Sequence, residues 1–302
     1  MVAMDDLPFA SIEALESALK DHHYVAGRNL ATTIFLGLKL DKPLLLEGEA
    51  GVGKTEVGKV LAELLQAPLI RLQCYEGIDV NNAVYEWAYA RQLLHIRMLE
   101  TAGEDRDQME REIFSPRFLV KRPLLQALES DGQHAPLLLI DEIDRSDDEF
   151  EAFLLEMLSD YQISIPEIGT IKATRPPVVI ITSNRTREIH DALKRRCLYY
   201  WIDYPSIETE YAIVLARIPE VPQKLAEQVT RFMGAVRRLD LYKLPGIAET
   251  LDWARALMVL GQDELTDAAV GVTLGSIVKY QEDLERLRGE RARELLAAAT
   301  RA

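Results

Sequence analysis

The chain contains the stretch Gly48-Glu49-Ala50-Gly51-Val52-Gly53-Lys54-Thr55, a glycine-rich segment that ends in Gly-Lys-Thr. An apolar run of strand type precedes it at residues 43–47, and a helical pattern follows it at residues 56–66. The apolar positions of that helical pattern are Val57, Val60, Leu61, Leu64 and Leu65. A strand, a glycine-rich turn and a helix in this order are typical of a phosphate-binding loop. The stretch therefore predicts that residues 48–55 bind the phosphates of a nucleotide.

Each residue type in this predicted phosphate loop has a chemical reason to be there. Glycines let backbone N–H groups turn inward around a polyphosphate without interference from Cβ atoms. The helix that opens at Lys54 directs its positive dipole end at the same anion. The Lys54 ammonium would reach the β- and γ-phosphates, and the Thr55 hydroxyl would ligate Mg²⁺. We therefore expect ATP and Mg²⁺ as ligands, bound by Gly48, Glu49, Ala50, Gly51, Val52, Gly53, Lys54 and Thr55.

A pair of acids, Asp141 and Glu142, follows the apolar run at residues 136–140. Such a run is typical of a strand buried on both faces of a parallel sheet. Asp141 would complete the Mg²⁺ shell with Thr55, and Glu142 would orient or deprotonate the attacking water. A strand that simply ends in solvated acids is the alternative, and the phosphate loop favours the catalytic interpretation.

Two further candidates lie later in the chain. Asn184 follows the apolar run at residues 178–182, and ligands of such sheets bind at the carboxyl ends of strands. It would hold the water and sense the γ-phosphate, or it would only close the strand as a turn former. Lys194, Arg195 and Arg196 end a short helical segment. They compensate the helix dipole, or they present an arginine to a neighbouring subunit's γ-phosphate, an effect of about 10³ to 10⁵ on rate. Arg196 is the first candidate and Arg195 the second.

Strand patterns alternate with helical ones up to residue 205, after which only helical patterns occur. We predict an α/β domain with a central parallel sheet over residues 1–205, with a hairpin near 161–176, and an all-helical domain over residues 206–302. A last short strand is expected at residues 201–205. Predicted helices span residues 11–20, 28–39, 56–66, 85–100, 116–130, 147–158, 207–218, 222–240, 247–260, 266–280 and 282–299. Residues 101–112 read as an exposed loop, and Asp131-Gly132 would end the preceding helix.

Composition limits the class of partner. With 49 acidic and 35 basic residues the net charge is −14, so most of the surface repels nucleic-acid phosphates. The two cysteines, Cys74 and Cys197, support neither a disulfide framework nor a cysteine zinc site, and a reducing cytoplasm is the simplest setting. No apolar run is long enough to span a bilayer, and residues 1–8 lack the apolar core of a secretory signal.

The order of these motifs resembles an AAA+ ATPase. The phosphate loop, the Leu-Leu-Leu-Ile-Asp-Glu-Ile-Asp run, the hairpin, Ile-Thr-Ser-Asn and Leu-Lys-Arg-Arg occur in sequence over most of residues 24–280. The hairpin placed before the Asn184 strand is similar to the MoxR branch. The sequence at residues 74–79, 85–87 and 249–254 is similar to that of the subgroup that matures carbon monoxide dehydrogenase.

This resemblance implies a homo-hexameric ring with ATP between subunits, a partner with a von Willebrand factor A domain, and remodelling of a client metalloenzyme. For the subgroup it implies help in assembling a molybdenum–copper active site. Activation of another client, such as a nitric oxide reductase or a carboxylase, is an alternative. A nucleotide-gated scaffold with little turnover is a further alternative. A nucleic-acid-handling AAA+ protein is another, which the acidic net charge disfavours. The hairpin at residues 163–171 and the loop at 77–82 are candidates for partner contact.

One position departs from the family pattern. Many relatives carry an arginine near the start of the lid helix that reaches the phosphates, and the matching position here is Ala248. Arg255 lies about two turns further along that helix, too far to replace it at about 1.5 Å of rise per residue. The resemblance therefore predicts hydrolysis more firmly than it predicts coupling of the nucleotide to the lid.

Overall fold

The computed structural model describes residues 8–102, 112–130 and 134–301. Three expectations fall wholly or partly outside these ranges: the missing secretory signal at residues 1–8, the exposed loop at 101–112 and the helix end at 131–132. The first two residues of the expected loop, Thr101 and Ala102, are described and belong to a helix instead. Within the described ranges, no helix has both the length and the apolar character needed to cross a membrane.

The strands are β1 (Leu44–Gly48), β2 (Leu69–Gln73), β3 (Tyr85–Trp87), β4 (Leu119–Lys121), β5 (Leu137–Asp141), β6 (Gln162–Ile165), β7 (Gly169–Lys172), β8 (Val178–Ser183) and β9 (Leu198–Ile202). The helices are α1 (Ile12–Asp21), α2 (Arg28–Lys39), α3 (Lys54–Leu64), α4 (Val80–Ala83), α5 (Tyr89–Ala102), α6 (Pro123–Leu128), α7 (Asp148–Asp160), α8 (Asp191–Arg196), α9 (Ile207–Arg217), α10 (Gln223–Val236), α11 (Ile247–Val259), α12 (Asp267–Thr273), α13 (Gln281–Leu287) and α14 (Glu290–Thr300).

The chain forms two compact units. The first contains Asn29–Glu47 and Gly58–Tyr200, together with the described residues up to Ile12. The second contains Glu13–Arg28, Gly48–Val57 and the residues from Trp201 onward. The contacts of the phosphate loop therefore place it in the helical unit, whereas the division of the chain at residue 205 stays a prediction.

A five-stranded sheet with the order β2-β5-β8-β1-β9 is the centre of the first unit. β2 pairs with β5, β5 with β8 and β8 with β1, all in parallel. Every residue of β1 and β5 is buried, as expected for strands covered on both faces. The predicted α/β class with a central parallel sheet, followed by a helical region, is confirmed. The parallel pairing also brings the carboxyl ends of β2, β5 and β8 to one edge.

The second unit has a separate apolar core built by its helices. Trp253 of α11 is fully buried beside Phe232 of α10, with ring centroids 5.0 Å apart. The Trp253 indole donates a hydrogen bond of 2.7 Å to Thr273 Oγ1, which satisfies its buried N–H. Packing around these rings fixes the bundle to which the phosphate loop belongs.

Two predicted helices are wrong in part. Residues 85–87 form β3 and pair antiparallel with β4, so the helix expected from residue 85 begins only at Tyr89. The helix expected over residues 116–130 is a 3-10 turn, β4 and the short α6. Trp87 is buried and packs edge-on against Phe114 at 5.5 Å. Pairing with a segment more than thirty residues away decides this structure, and the local helical spacing does not record it.

Other helices and strands also begin or end at residues different from the predicted ones. The last strand of the sheet covers Leu198–Ile202, earlier than the expected residues 201–205. The helix expected over 282–299 is divided into α13 and α14 because Gly289 takes a left-handed conformation with φ of 71°. The helix expected over 266–280 ends as α12 at Thr273. The predicted hairpin is confirmed as β6 and β7.

Candidate functional site

Glycines with positive φ shape the phosphate loop. Gly51 has a φ of 78° and Gly53 a φ of 98°, conformations that side chains with a Cβ disfavour. Lys54 opens α3 and is buried, and its ammonium donates hydrogen bonds to the carbonyl oxygens of Gly48 at 2.7 Å and Glu49 at 2.6 Å. The lysine therefore lies folded over the loop that precedes it, next to backbone that a polyphosphate would share.

Close backbone packing fixes the entry to this loop. A Cβ on Gly48 would lie 2.3 Å from the Ile202 carbonyl oxygen, a distance that real Cβ atoms do not reach. Because the neighbour is backbone, it has no side chain that could turn aside. Only glycine fits at the first position of the loop.

Asp141 ends β5 in the first unit with both carboxylate oxygens engaged. Its Oδ1 accepts a hydrogen bond of 2.5 Å from Thr182 Oγ1 of β8. Its Oδ2 accepts from the guanidinium of Arg71 on β2, through Nε at 3.1 Å and through Nη2. Arg71 also donates to Gln73 Oε1 at 2.6 Å. A buried carboxylate thus has a charge partner and a hydroxyl from the two strands that flank its own.

Glu142 and Asn184, predicted from separate segments, are in contact. Asn184 Nδ2 donates to Glu142 Oε1 at 3.2 Å, and Gln73 Nε2 donates to Glu142 Oε2 at 3.1 Å. Arg145 Nε lies 3.0 Å from the same Oε2. The Glu142 backbone has a φ of 57°, and its N–H donates to Thr182 Oγ1 at 3.0 Å. We call Asp141, Glu142 and Asn184 the carboxylate edge.

Asp144 fixes the segment that carries Asn184. Its Oδ1 accepts from the Asn184 N–H at 3.1 Å, and its Oδ2 accepts from Thr186 N–H at 2.9 Å and Thr186 Oγ1 at 2.6 Å. Burial raises the pKa of Asp144, but the hydrogen bonds from Thr186 and Asn184 outweigh it and hold the pKa below its usual value. Asp144 is therefore an ionised buried carboxylate that shapes the loop after β8.

Arg195 and Arg196 are exposed at the carboxyl end of α8. Within the described chain, neither forms an ion pair or hydrogen bond with the carboxylate edge. The loop before α8 is tied to α7, because the His190 N–H donates to Glu151 Oε2 at 2.8 Å and Arg187 pairs with the same buried glutamate. The two arginines are thus presented to solvent from an anchored segment, and a role in trans stays a prediction.

Four residues that sequence reasoning missed belong to this network: Arg71, Gln73, Asp144 and Thr182. The sequence held one usable signal, because Gln73 is a polar residue that ends an apolar segment, and the structure pairs it with Asp141 of β5. Neighbouring parallel strands that end in polar residues bring those residues side by side. Tertiary structure decides which strand lies beside β2, however, and the sequence alone does not show it.

The environment of both cysteines disfavours the thiolate form. Burial, together with Asp141, Asp144, Glu142 and Glu151, raises the pKa of Cys74 to about 12. Burial likewise raises the pKa of Cys197 to about 12. Both are free thiols. Thiols with such pKa values stay protonated at neutral pH and are poor nucleophiles.

The parallel sheet, the glycine-rich turn between β1 and α3, and the acids at the end of β5 define a protein of the P-loop class. The profile of the AAA domain (dynein-related subfamily) matches residues 43–197. This match covers half of the sequence, and the chain belongs to that family.

The chain is also similar to relatives from other organisms and to solved structures. Uncharacterised proteins of Staphylococcus aureus strains NCTC 8325 / PS 47 and COL are 26% identical over 249 residues, covering 79% of this chain and 84% of theirs. A proposed ATPase of Cytophaga hutchinsonii shares 13% identity at a TM-score of 0.47, covering 96% of this chain and 95% of that one. The Thermotoga maritima RuvB Holliday junction branch migration motor shares 15% identity at a TM-score of 0.46, with 95% and 77% covered.

Proposed function

We propose that the chain binds ATP with Mg²⁺ and hydrolyses it to ADP and phosphate. The observation that carries the proposal is the carboxylate edge, where Glu142 is held by Asn184 and Gln73 in a chain that also has the Gly-Lys-Thr loop. In this assignment Lys54 and the loop amides bind the phosphates. Asp141 and Thr55 serve the metal, Glu142 is the base, and Asn184 holds the attacking water.

The residues fit this ligand pair. The positive φ values of Gly51 and Gly53 permit inward-facing amides, and a hydroxyl and a carboxylate are oxygen donors that Mg²⁺ prefers. The metal would neutralise charge on the transferred phosphoryl group. The hydrogen bonds from Arg71 and Thr182 fix the orientation of the Asp141 carboxylate.

Glu142 performs the proton chemistry in this proposal. It accepts a proton from water at a carboxylate oxygen while Asn184 and Thr182 hold its side chain and backbone in place. The Gln73 side-chain amide holds the second carboxylate oxygen of Glu142 at 3.1 Å.

We further propose that hydrolysis drives remodelling of a client by a ring of identical subunits, as in MoxR-type AAA+ proteins. In this proposal a protein with a von Willebrand factor A domain is the partner. The client is a metalloenzyme of the carbon monoxide dehydrogenase type with a molybdenum–copper site. The family membership supports an oligomer, and the exposed residues of the β6–β7 hairpin are available for contact. The free, buried cysteines suit a reducing cytoplasm. Another client, or a scaffold with little turnover, is the alternative.

Phosphate release and nucleotide binding by Glu142→Gln test the ATPase proposal. General-base removal should lower turnover by about 10²- to 10⁴-fold and leave the Kd for ATP within about threefold. Glu149→Gln, an exposed glutamate at the start of α7, is the matched control and should keep wild-type turnover. Wild-type protein that binds ATP without measurable hydrolysis would move the scaffold interpretation to the front.

A further inference from the structure

The phosphate loop makes its own contact with the helical bundle, inside the second unit. The Gly51 carbonyl accepts hydrogen bonds from the N–H of Ile247 at 2.9 Å and of Ala248 at 3.4 Å, at the start of α11. A Cβ on Gly246 would lie 2.8 Å from both the Ala50 carbonyl oxygen and the Gly51 Cα. The loop and the beginning of α11 are therefore in direct backbone contact.

The start of α11 is itself held firmly from behind. Arg237 forms a bidentate pair with Glu210, with bonds of 2.5 and 2.7 Å, and both side chains are buried. Its remaining N–H groups donate to the Pro245 carbonyl at 2.7 Å and the Gly246 carbonyl at 3.2 Å. We expect a segment fixed in this way to pass a displacement of the loop on to α11 rather than to absorb it.

A second connection joins the helix that follows the loop to the bundle. Glu56 lies in the first turn of α3, directly after Lys54 and Thr55, and its Oε1 accepts a hydrogen bond of 2.8 Å from Nη1 of Arg217. Both side chains are half-buried, and Arg217 is the last residue of α9. The ion pair of Glu56 and Arg217 therefore joins the first turn of α3 to the end of α9, next in sequence to the predicted phosphate ligands.

These connections exist where α11 offers no arginine to the phosphates. Position 248 carries a methyl group, and the one arginine of α11, Arg255, is exposed and lies 3.5 Å from Asp252 on its own helix. Arg237 is engaged by Glu210 and the backbone. Any link from the loop to the bundle must use other groups.

We propose that Arg217 is a positioning residue, which holds the phosphate loop against α11 through its pair with Glu56. The contact between Gly51 and Ile247 then links nucleotide binding in the loop to the helical bundle. This inference rests on the proposed nucleotide binding. The pair keeps the first turn of α3 in place and reduces the ordering that binding would otherwise require. The hydrogen bond from the Ile247 N–H to the Gly51 carbonyl then changes when nucleotide changes the loop, although no arginine of α11 reaches the phosphates.

Nucleotide affinity and amide exchange of the full chain test this role. A fluorescent ADP analogue would give the Kd for wild type, Arg217→Met, Glu56→Gln and the double variant. Each single change should weaken binding about two- to fivefold, and the double no more than the larger single change, because one pair is lost in all three. Arg231→Met, which removes another arginine–glutamate pair of the bundle with Glu227, is the matched control and should bind as wild type.

Hydrogen exchange at the Ile247 amide separates positioning from general stability. In wild type, nucleotide should change the exchange rate of this amide, and in Arg217→Met the change should be lost while Arg231→Met retains it. Arg217→Lys, which keeps the charge, should restore it in part, and it replaces the methionine variant if that one unfolds. The inference is overturned if the two single changes weaken nucleotide binding additively in the double variant. It is also overturned if Arg217→Met shows the same nucleotide response at the Ile247 amide as wild type. Failure of wild type to bind nucleotide overturns the proposed function instead.

Discussion

At the scale of single residues, Asp144 shows how a side chain outside the reaction can control it. Three hydrogen bonds to Asn184 and Thr186 place the Asn184 side chain toward Glu142. Asp144→Asn replaces an ionised acceptor by an amide whose NH2 group must face one of the two backbone donors, the N–H of Asn184 or that of Thr186. We expect the free energy of unfolding to fall by about 1–3 kcal/mol, because buried groups lose their partners. Turnover should fall while the Kd for ATP is kept.

Thr186→Val is the matched variant for this prediction. It removes only the contacts of the hydroxyl, at 2.6 Å to the Asp144 carboxylate and at 3.3 Å to its backbone carbonyl, and leaves both backbone donors in place. Its loss of stability should be smaller than that of Asp144→Asn in urea unfolding. Equal turnover in Asp144→Asn and wild type would contradict a positioning role for Asp144.

The lowered pKa of Asp144 also predicts a dependence of stability on pH. Hydrogen bonds hold the folded-state pKa below the unfolded value of about 3.9. The stabilisation is therefore present above that unfolded value and is lost as pH falls through the lower folded pKa. Urea unfolding of wild type and Asp144→Asn should differ most at neutral pH, and the difference should shrink below about pH 4. A constant difference down to pH 3 would contradict the assignment.

At the scale of elements, the sequence predicted the buried strands and missed the paired short ones. β1, β5 and β8 each begin with three or four consecutive apolar residues, a pattern typical of strands that are buried on both faces. β3 and β4 have three residues each, and their formation depends on pairing across the intervening helix α5. Local pattern carries no record of such a partner. For the same reason Arg71 and Gln73 were missed, although Asp141, Glu142 and Asn184 were found from strand ends.

The β6–β7 hairpin has one face that belongs to the core and one that does not. Ile163 and Ile165 are buried, and Ile168 and Ile171 pack against the same cluster. Removing the whole hairpin would therefore damage the fold, and a test of partner contact must change the outward face only. That face includes Pro166, Glu167 and Thr170.

Glu167→Ala with Thr170→Ala should leave basal turnover and Tm unchanged and lower the stimulation of turnover by a partner or client. Ile165→Ala, the inward control, should cost about 2–5 kcal/mol of stability because it leaves a cavity. The assay compares basal and partner-stimulated phosphate release for both variants. Full stimulation of the outward-face variant would rule out contact through this face.

At the scale of the whole molecule, the exposed arginines of α8 predict a site completed by a second copy. Glu142 and the phosphate loop would bind and hydrolyse ATP in one subunit, and Arg196 or Arg195 would contribute charge to the site of its neighbour. Such a head-to-tail arrangement closes into a ring when the rotation between copies permits. Specific activity should therefore rise with protein concentration.

Mixing two inactive variants distinguishes this arrangement from a self-sufficient subunit. Glu142→Gln lacks the base but keeps its arginines, and Arg196→Ala keeps its base but lacks the arginine of its neighbour. In a mixed ring some interfaces join the intact base of one copy to the intact arginine of the other. Those interfaces should recover turnover, whereas each variant alone loses about 10³-fold or more. Arg195→Ala mixed in the same way identifies which arginine acts. Normal turnover by Arg196→Ala and Arg195→Ala, each alone and at every concentration, would show that the site is complete within one chain.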